Sequence, residues 1–564
     1  MTTFDELLSW DSENLYKAGY ALLAESNCYK HVHDNLLEMR FEHFEGKSAE
    51  AEQRKRRILA DDAADLQRST AKAGKRLMDA AETATVLRRK ADSLKQSIDS
   101  EKGAPFTIVS STDDYHIDTT PSEDAQSAQG KYGNQLRHLK MNVESTVTFI
   151  RSVFDDLIGN INNTAIAPRK DVVERGTSAA PDPSWTVDDV NDWWTSLSEK
   201  EQKSIIQDHP DWIGNLNGIP MAVRDQANRK RLPEIRKKID EEVEKFEPKY
   251  EYVSEGTAEP TILLNPEYKK LLEKQKDIHA LERSINSEDS NNIGRTLLLL
   301  DDSPSDRLRA AIGSGDIDHA DHVMTLTPGM GSRVSTTLAT EDGGRGSGVE
   351  YTENVLEESG LSWKRNDGDH SKGTAAGVTW LGYDAPPDLV SASSSQPAQD
   401  AGSSLASFQD GIQATHDGDP HLVSISHSYG TVVNGYALQQ TNSVDEVVVT
   451  GSPGLRTYAG GSTVNASDLH MLPGDMFAAD AEFDKVPYST AHGRNPANDP
   501  GSEFVALETG GKHGLDGVTG HTDYFKPGTT VVHDMGQILR NEEPSYYAQT
   551  SPTLPFRKQP WRLY

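Results

Sequence analysis

Apolar positions in the first 160 residues recur at helical spacing. Between Ala49 and Ser97 there is no proline and one glycine, Gly74. Leu59, Ala63, Leu66, Leu77, Ala80, Ala84, Leu87, Ala91, Leu94 and Ile98 mark one stripe, and charged or amide residues fill the rest. That is the pattern of a long amphipathic helix with a solvated face. An earlier helix is predicted over Ser12 to Met39, with Phe44-Glu45-Gly46-Lys47 making the turn of an antiparallel hairpin. Residues 101–130 hold Pro105 and Pro121 among polar residues and read as a loop. A third helix, Gln135 to Ile161, carries Leu136, Leu139, Val143, Val147, Ile150, Val153, Phe154 and Leu157 and can lie along the hairpin.

Residues 162–184 are linker-like, with Pro168, Pro181 and Pro183. A tryptophan-rich block then runs from Trp185 to Leu232. Ser184 is placed to cap a helix from Val187, with Asp188 and Asp189 in its first turn. Trp193 and Trp194 are expected to pack at a domain interface. Residues 233–285 read as charged helix broken by Pro248, Pro260 and Pro266.

From Gly294 the period changes. Short apolar runs appear at Thr296 to Leu300, His322 to Leu326, Gly377 to Leu381, Leu422 to Ile425, Val444 to Val449 and Met476 to Ala479. Segments that can be helical lie between them: Ser335 to Thr340, Glu350 to Glu358, Leu405 to Thr415 and Thr431 to Leu438. Buried runs alternating with helices predict a mainly parallel sheet with helical crossovers, the first strand being able to serve as an antiparallel edge. The predicted organisation is an all-helical region at 1–165, a helical linker region at 166–289, an α/β domain at 290–545 and a tail at 546–564.

Composition narrows the classes. A chain of 564 residues is too long for one growing core. Its 35% apolar content suits a folded part joined to long solvated helices. A net charge of −31 repels nucleic-acid phosphate and anionic lipid. A single cysteine, Cys28, cannot form an intramolecular disulfide or a cysteine metal cluster. No stretch reaches the roughly 20 apolar residues of a spanning helix, and the N-terminus lacks a signal-peptide pattern. A cytoplasmic location is expected.

The chemistry concentrates at His421-Leu422-Val423-Ser424-Ile425-Ser426-His427-Ser428-Tyr429-Gly430. An apolar strand, a sharp turn and a helix start form the context of the nucleophile elbow G-x-S-x-G, here S-x-S-x-G with Ser426 in place of the first glycine. Ser428 is the expected nucleophile. On an α/β-hydrolase fold, the acid and then the histidine follow it in the chain. The loop after Met476–Ala479 offers Asp484, with Asp480 as the alternative. His521, in Gly517-Val518-Thr519-Gly520-His521-Thr522-Asp523-Tyr524-Phe525, is the expected base, with His492 as the alternative. The oxyanion hole needs two backbone N–H groups. Tyr429, after the nucleophile, supplies one. The loop Thr327-Pro328-Gly329-Met330-Gly331-Ser332 supplies the other, from Met330 or alternatively Gly331, with Gly329 and Gly331 permitting the turn. Asp301, Asp302 and Asp306 read as loop caps, and neither a metal nor an organic cofactor is expected.

Several stretches are distinctive together: Pro210 to Pro220 with Arg224-Asp225 and Asn228-Arg229, Ala320-Asp321-His322-Val323 leading to Gly331, Trp380 to Pro387, and His427 to Gly430. With them, residues 185–540 resemble a family of actinobacterial α/β-hydrolases of unknown function. The resemblance implies a Ser-Asp-His hydrolase and carries over to Ser428, Asp484 and His521. Phe44-Glu45-Gly46 resembles, more weakly, the turn of WXG-type hairpins of type VII secretion. That implies a helical partner, a homo-oligomer or export by such a route. No tyrosine, however, has Asp or Glu four residues later, as that export signal requires. The expected activity is hydrolysis of a carboxylic ester, of a small molecule or lipid, through an acyl-enzyme on Ser428. The alternatives are an amidase or thioesterase, and a secretion or assembly protein carrying an inactive hydrolase scaffold.

Overall fold

The computed structural model describes residues 2–545 except 40–46, 112–113, 121, 166–171, 173–174, 178, 254–260, 288–291, 304–306, 340–345, 366, 457–463 and 500. The N-terminal region is helical, with α1 (Glu13–Glu38), α2 (Lys47–Asp99) and α3 (Glu123–Ala165). Ser12 meets Thr85 at 2.7 Å and Ser26 Oγ donates to the Gln67 carbonyl at 3.0 Å, so α1 and α2 run antiparallel. Gly19 and Gly74 let them touch: a Cβ on Gly19 would stand 2.8 Å from the Gly74 oxygen. The Phe44-Glu45-Gly46 turn and the tail after 545 lie outside the described residues.

Residues 101–130 differ from the expected loop. They contain an antiparallel pair, Ile108–Ser110 with Tyr115–Ile117, and α3 begins at Glu123. Tyr115 and Ile117 are fully buried in one cluster with Phe4, Leu7 and Leu136, so tertiary packing overrides the polar composition. Thr186, not Ser184, caps the helix Val187–Ser196: its hydroxyl accepts from the Asp189 N–H, while Ser184 turns to Asp182. Trp193 and Trp194 sit in a small core with Val190, Leu197, Ile205, Ile213 and Ile219.

Two further helices follow, α4 (Met221–Lys245) and α5 (Pro266–Asn286). Pro266 opens α5 rather than breaking a helix, because its missing N–H is one the first turn leaves unpaired anyway. The C-terminal half is built on eight strands. These are β1 (Thr296–Asp301), β2 (Arg309–Ser314), β3 (His322–Thr327), β4 (Ala375–Leu381), β5 (His421–His427), β6 (Glu446–Thr450), β7 (Met476–Ala479) and β8 (Val505–Ala506). Their order is β1-β2-β4-β3-β5-β6-β7-β8, with β2 antiparallel to both neighbours and the rest parallel. The sheet is mainly parallel with an antiparallel edge pair, as an α/β-hydrolase fold requires.

Both faces of the sheet are apolar, as helical crossovers demand. Val323, Leu422, Val447, Val449 and Met476 face α4, α5, α7 (Gln396–Thr415) and α8 (Gly430–Ala437). Met324, Val423, Ile425, Val448 and Phe477 face α6 (Gly348–Ser359) and α9 (Thr530–Leu539). The core of the sheet therefore draws on α4 and α5, before residue 290.

The Asn215 and Asp225-to-Asn228 motifs close the open edge of β1. Asn215 exchanges two hydrogen bonds of 2.8 Å with the Leu300 backbone, Asp225 accepts from Leu297 N at 2.7 Å, and Asn228 donates to Leu297 O at 3.1 Å. Side chains thus satisfy an edge that would otherwise invite a foreign strand.

The helical region docks beneath the sheet. Lys75 reaches Asp419 at 2.7 Å, Lys72 donates to Ser443 O at 2.8 Å and Arg76 to His470 O at 3.0 Å. Leu472 is buried among Ala73, Leu77, Phe149 and Val153. Those positions precede β5, β6 and β7, so these contacts lie at the N-terminal ends of the strands, away from Ser428. Among the described residues, no helix is long and apolar enough to cross a membrane.

Candidate active site

Strand β5 ends at His427, and Ser428 turns the chain into α8. Ser428 has φ +56, a left-handed backbone that a side chain adopts only under constraint. The constraint is visible. Ser428 N donates to Thr450 O at 2.9 Å. A Cβ on Gly430 would lie 2.3 Å from Thr327 O, and one on Gly329 would lie 2.6 Å from Ser428 Cβ. Only glycine fits where the turn meets the loop after β3. Ser426 fits where glycine is usual: its side chain is fully buried, and its hydroxyl accepts from Asn434 Nδ2 at 3.3 Å. Asn434 also accepts from Ser424 at 2.9 Å, so a polar side chain on α8 absorbs the extra hydroxyl.

The structure brings Asp484 and His521 together. His521 Nδ1 donates to Asp484 Oδ2 at 2.8 Å. A carboxylate acceptor on Nδ1 leaves Nε2 as the bare nitrogen, the tautomer a general base needs. Burial raises the Asp484 carboxyl, but hydrogen bonds from His521, Tyr524 and Val486 N outweigh it and hold the group below its usual range. Ser428 is 93% buried, judged by its 7% exposure. Among the described residues, no hydrogen bond joins its hydroxyl to His521. Such contacts often close only when substrate is bound.

The alternative acid and base are engaged elsewhere. Asp480 accepts from Asn495 and from Asn498 at 2.9 Å, and burial lifts its carboxyl to about 6. His492 Nε2 donates to Ala392 O at 2.7 Å, and burial lowers its pKa. Gly331 N–H is taken by Pro386 O at 2.8 Å. Among the described residues, the Met330 and Tyr429 N–H groups donate to no protein acceptor.

Three contributors went unassigned in the sequence. His427 Nε2 donates to the backbone oxygen of His521 at 2.6 Å, and the two rings lie 4.5 Å apart. Burial, then the neighbouring His521, push His427 down to about 4, so it is a neutral donor. Tyr524 Oη donates to Asp484 Oδ2 at 2.7 Å and accepts from Ala481 N at 2.8 Å. Gly451 lies against the pair: a Cβ there would stand 2.7 Å from Asp484 Oδ2. The only sequence signal was proximity, since His427 and Tyr524 flank residues already singled out.

Residues 303–492 match a family model described as alpha/beta hydrolase. An uncharacterized protein of Mycobacterium bovis is 31% identical over 244 residues, covering 42% of this chain and 85% of that protein. An uncharacterized protein of Mycobacterium tuberculosis is 27% identical over 329 residues, covering 57% of this chain and 47% of that protein. A hyperthermophilic esterase from Pyrobaculum calidifontis is 11% identical with a TM-score of 0.27, over 55% of this chain and 97% of that one, a superposition too loose to carry an inference. The likeness of the N-terminal helices to WXG-type hairpins gains no support from these matches.

Proposed function

This chain belongs to the alpha/beta hydrolase family, and from that membership we propose that it is a serine hydrolase of carboxylic esters with Ser428, His521 and Asp484 as its triad. The observation that carries the reading is the 2.8 Å bond between His521 and Asp484, beside a serine held at φ +56. In the sequence the elbow marks Ser428, and loop context after it favours Asp484 and His521 over Asp480 and His492.

In the proposed reaction His521 Nε2 takes the Ser428 proton as Oγ attacks the ester carbonyl. The N–H groups of Met330 and Tyr429 receive the oxyanion. Collapse breaks the C–O bond, and the proton on His521 leaves with the alcohol. Water, deprotonated by His521, then attacks the acyl-enzyme carbonyl; collapse breaks the bond to Ser428 Oγ, His521 returns its proton to that oxygen, and the acid leaves. Asp484 holds the imidazole tautomer throughout and stays ionised.

A fluorophosphonate probe tests this. Labelling at Ser428 that disappears in Ser428→Ala supports the reading. Absence of labelling on folded protein sinks it and leaves the inactive scaffold. A panel of acyl esters, thioesters and amides then separates the esterase from its amidase and thioesterase alternatives, which share the same tetrahedral chemistry.

A further inference from the structure

The stretch Trp380 to Pro387 runs from the end of β4 into the loop beyond it and is distinctive in the sequence. Among the described residues, no hydrogen bond joins it to Ser428, His521 or Asp484. Its bonds run instead to the loop that carries Met330. Tyr383 Oη donates to Pro328 O at 2.7 Å. Pro386 O accepts from Gly331 N at 2.8 Å.

Those two bonds fall on particular peptide units. A peptide group is planar, so a hydrogen bond to its C=O or its N–H orients the whole plane. Pro328 O belongs to the peptide that joins Pro328 to Gly329. Gly331 N belongs to the peptide that joins Met330 to Gly331. Between them lies the Gly329–Met330 peptide, which carries the Met330 N–H. Glycine at 329 would otherwise leave that plane free to turn. The proposed oxyanion donor is therefore bracketed by two planes, each tied to residues 383–386.

The bracket is itself anchored. Arg309, which opens β2, grips Asp384 at two points, 3.1 and 2.8 Å. Arg307 Nη1 donates to Ala385 O at 2.7 Å and to Ser332 O at 3.4 Å, on the far side of Met330. Tyr383 is buried, and its ring lies nearly parallel to that of Trp380, with centroids 6.0 Å apart. Burial holds its hydroxyl far above the usual tyrosine range, so it stays protonated and donates. Across the loop stands the elbow: a Cβ on Gly329 would lie 2.9 Å from Tyr429 N.

We infer that Tyr383 is a positioning residue for the oxyanion hole: through Pro328 O it holds the loop that aims the Met330 N–H at the oxyanion. The inference rests on the proposed role of Ser428, and it gives Tyr383 no contact with the reacting atoms.

Tyr383→Phe removes the hydroxyl and keeps the ring. Losing an oxyanion donor outright costs about 100- to 1000-fold in kcat. A donor turned off its aim costs less, so kcat for p-nitrophenyl acetate should fall about 10- to 100-fold, with KM within about twofold. An aryl trifluoromethyl ketone becomes an oxyanion when Ser428 Oγ adds to its carbonyl carbon. Its affinity should fall in step with kcat. Tyr115→Phe is the matched control, because Tyr115 Oη also donates to a backbone oxygen, Thr2 O at 2.9 Å, in the N-terminal region. That variant should lower the melting temperature and leave kcat unchanged. Should Tyr383→Phe not fold, Arg307→Gln releases Ala385 O instead and carries the same expectation.

A folded variant with the parent's kcat, a rise in KM alone, or a lower kcat with unchanged ketone affinity overturns the inference and leaves Ser428 standing. So does an equal loss of kcat in Tyr115→Phe. A parent chain that turns over no ester removes the Ser428 reading and the role of Tyr383 with it.

Discussion

Replacing Gly451 by alanine should disable the proposed site without unfolding the protein. Gly451 follows β6 at φ +55, and its N–H donates to Ala479 O at 3.0 Å. An added Cβ would stand 2.7 Å from Asp484 Oδ2, 3.0 Å from His521 Nδ1 and 3.1 Å from His521 Cε1. Ordinary contact is about 3.5 Å, so one partner must retreat by roughly half an ångström or more. Asp484 is fastened by Tyr524 and by Val486 N at 2.9 Å, which leaves the imidazole to move. Misplacing a reacting group by about 1 Å costs on the order of a hundredfold, and complete loss of the orienting carboxylate about ten-thousandfold. We therefore expect kcat to fall about 10- to 100-fold with KM little changed. Alanine in the left-handed region costs about 1–2 kcal/mol, a loss the fold should withstand. Steady-state ester hydrolysis measures the first effect and a thermal melt the second. The decisive control is a double-mutant cycle with Asp484→Asn. If Gly451→Ala acts through the His521–Asp484 bond, it costs far less in that background. Additive losses, or a folded Gly451→Ala protein with unchanged kcat, would refute the reasoning.

Two further expectations concern Tyr524 and the carboxylates around Asp192. Tyr524→Phe strands the buried Ala481 N–H and should cost about 1–3 kcal/mol by chemical denaturation. It also removes a donor that favours the Asp484 carboxylate, so the acid limb of the pH–rate profile should move to higher pH; an unmoved limb would show that Tyr524 only props the loop. At the junction of α2 with the helix Val187–Ser196, burial and then neighbouring carboxylates raise Asp192 to about 8 and Asp61 to about 7. Folded values above the unfolded one of about 3.9 mean that the folded state retains protons the unfolded state has released, so stability falls as pH rises from about 4 to 8. The melting temperature should be lower at pH 8 than at pH 6, and Asp192→Asn should raise it at pH 8; a melting temperature that climbs with pH would contradict the assignment.

What the sequence made legible was whatever a local pattern encodes. Five of the six apolar runs lie within strands and the sixth, Val444 to Val449, starts two residues before β6; the elbow is readable because a strand, a serine and a glycine must be adjacent for the turn to close. Strand β2 was not readable. Its core is Ala310-Ala311-Ile312-Gly313, and Gly313 looks like a turn, yet it is glycine because a Cβ there would lie 2.4 Å from Thr296 Oγ1 across the sheet. Strand β8 is two residues long and carries no period. Chain order admits Asp480 and His492 as readily as Asp484 and His521, and loop context only favours the latter pair, because loop carboxylates and imidazoles look alike until a fold decides which face each other. The same holds for His427, Tyr524 and Gly451, whose contacts join segments far apart in the chain. The edge-covering role of Asn215, Asp225 and Asn228 is invisible in the sequence for the same reason, although the three stand close together in the chain.

The attachment of the hairpin beneath the strands has a practical corollary. Cys28 is the chain's one cysteine, exposed on α1, at the end of the molecule remote from Ser428. A maleimide-bearing surface would therefore grip every molecule at the same point and turn the strand ends that carry Ser428 outward. An immobilised preparation of uniform orientation follows from the fold, with no engineered handle.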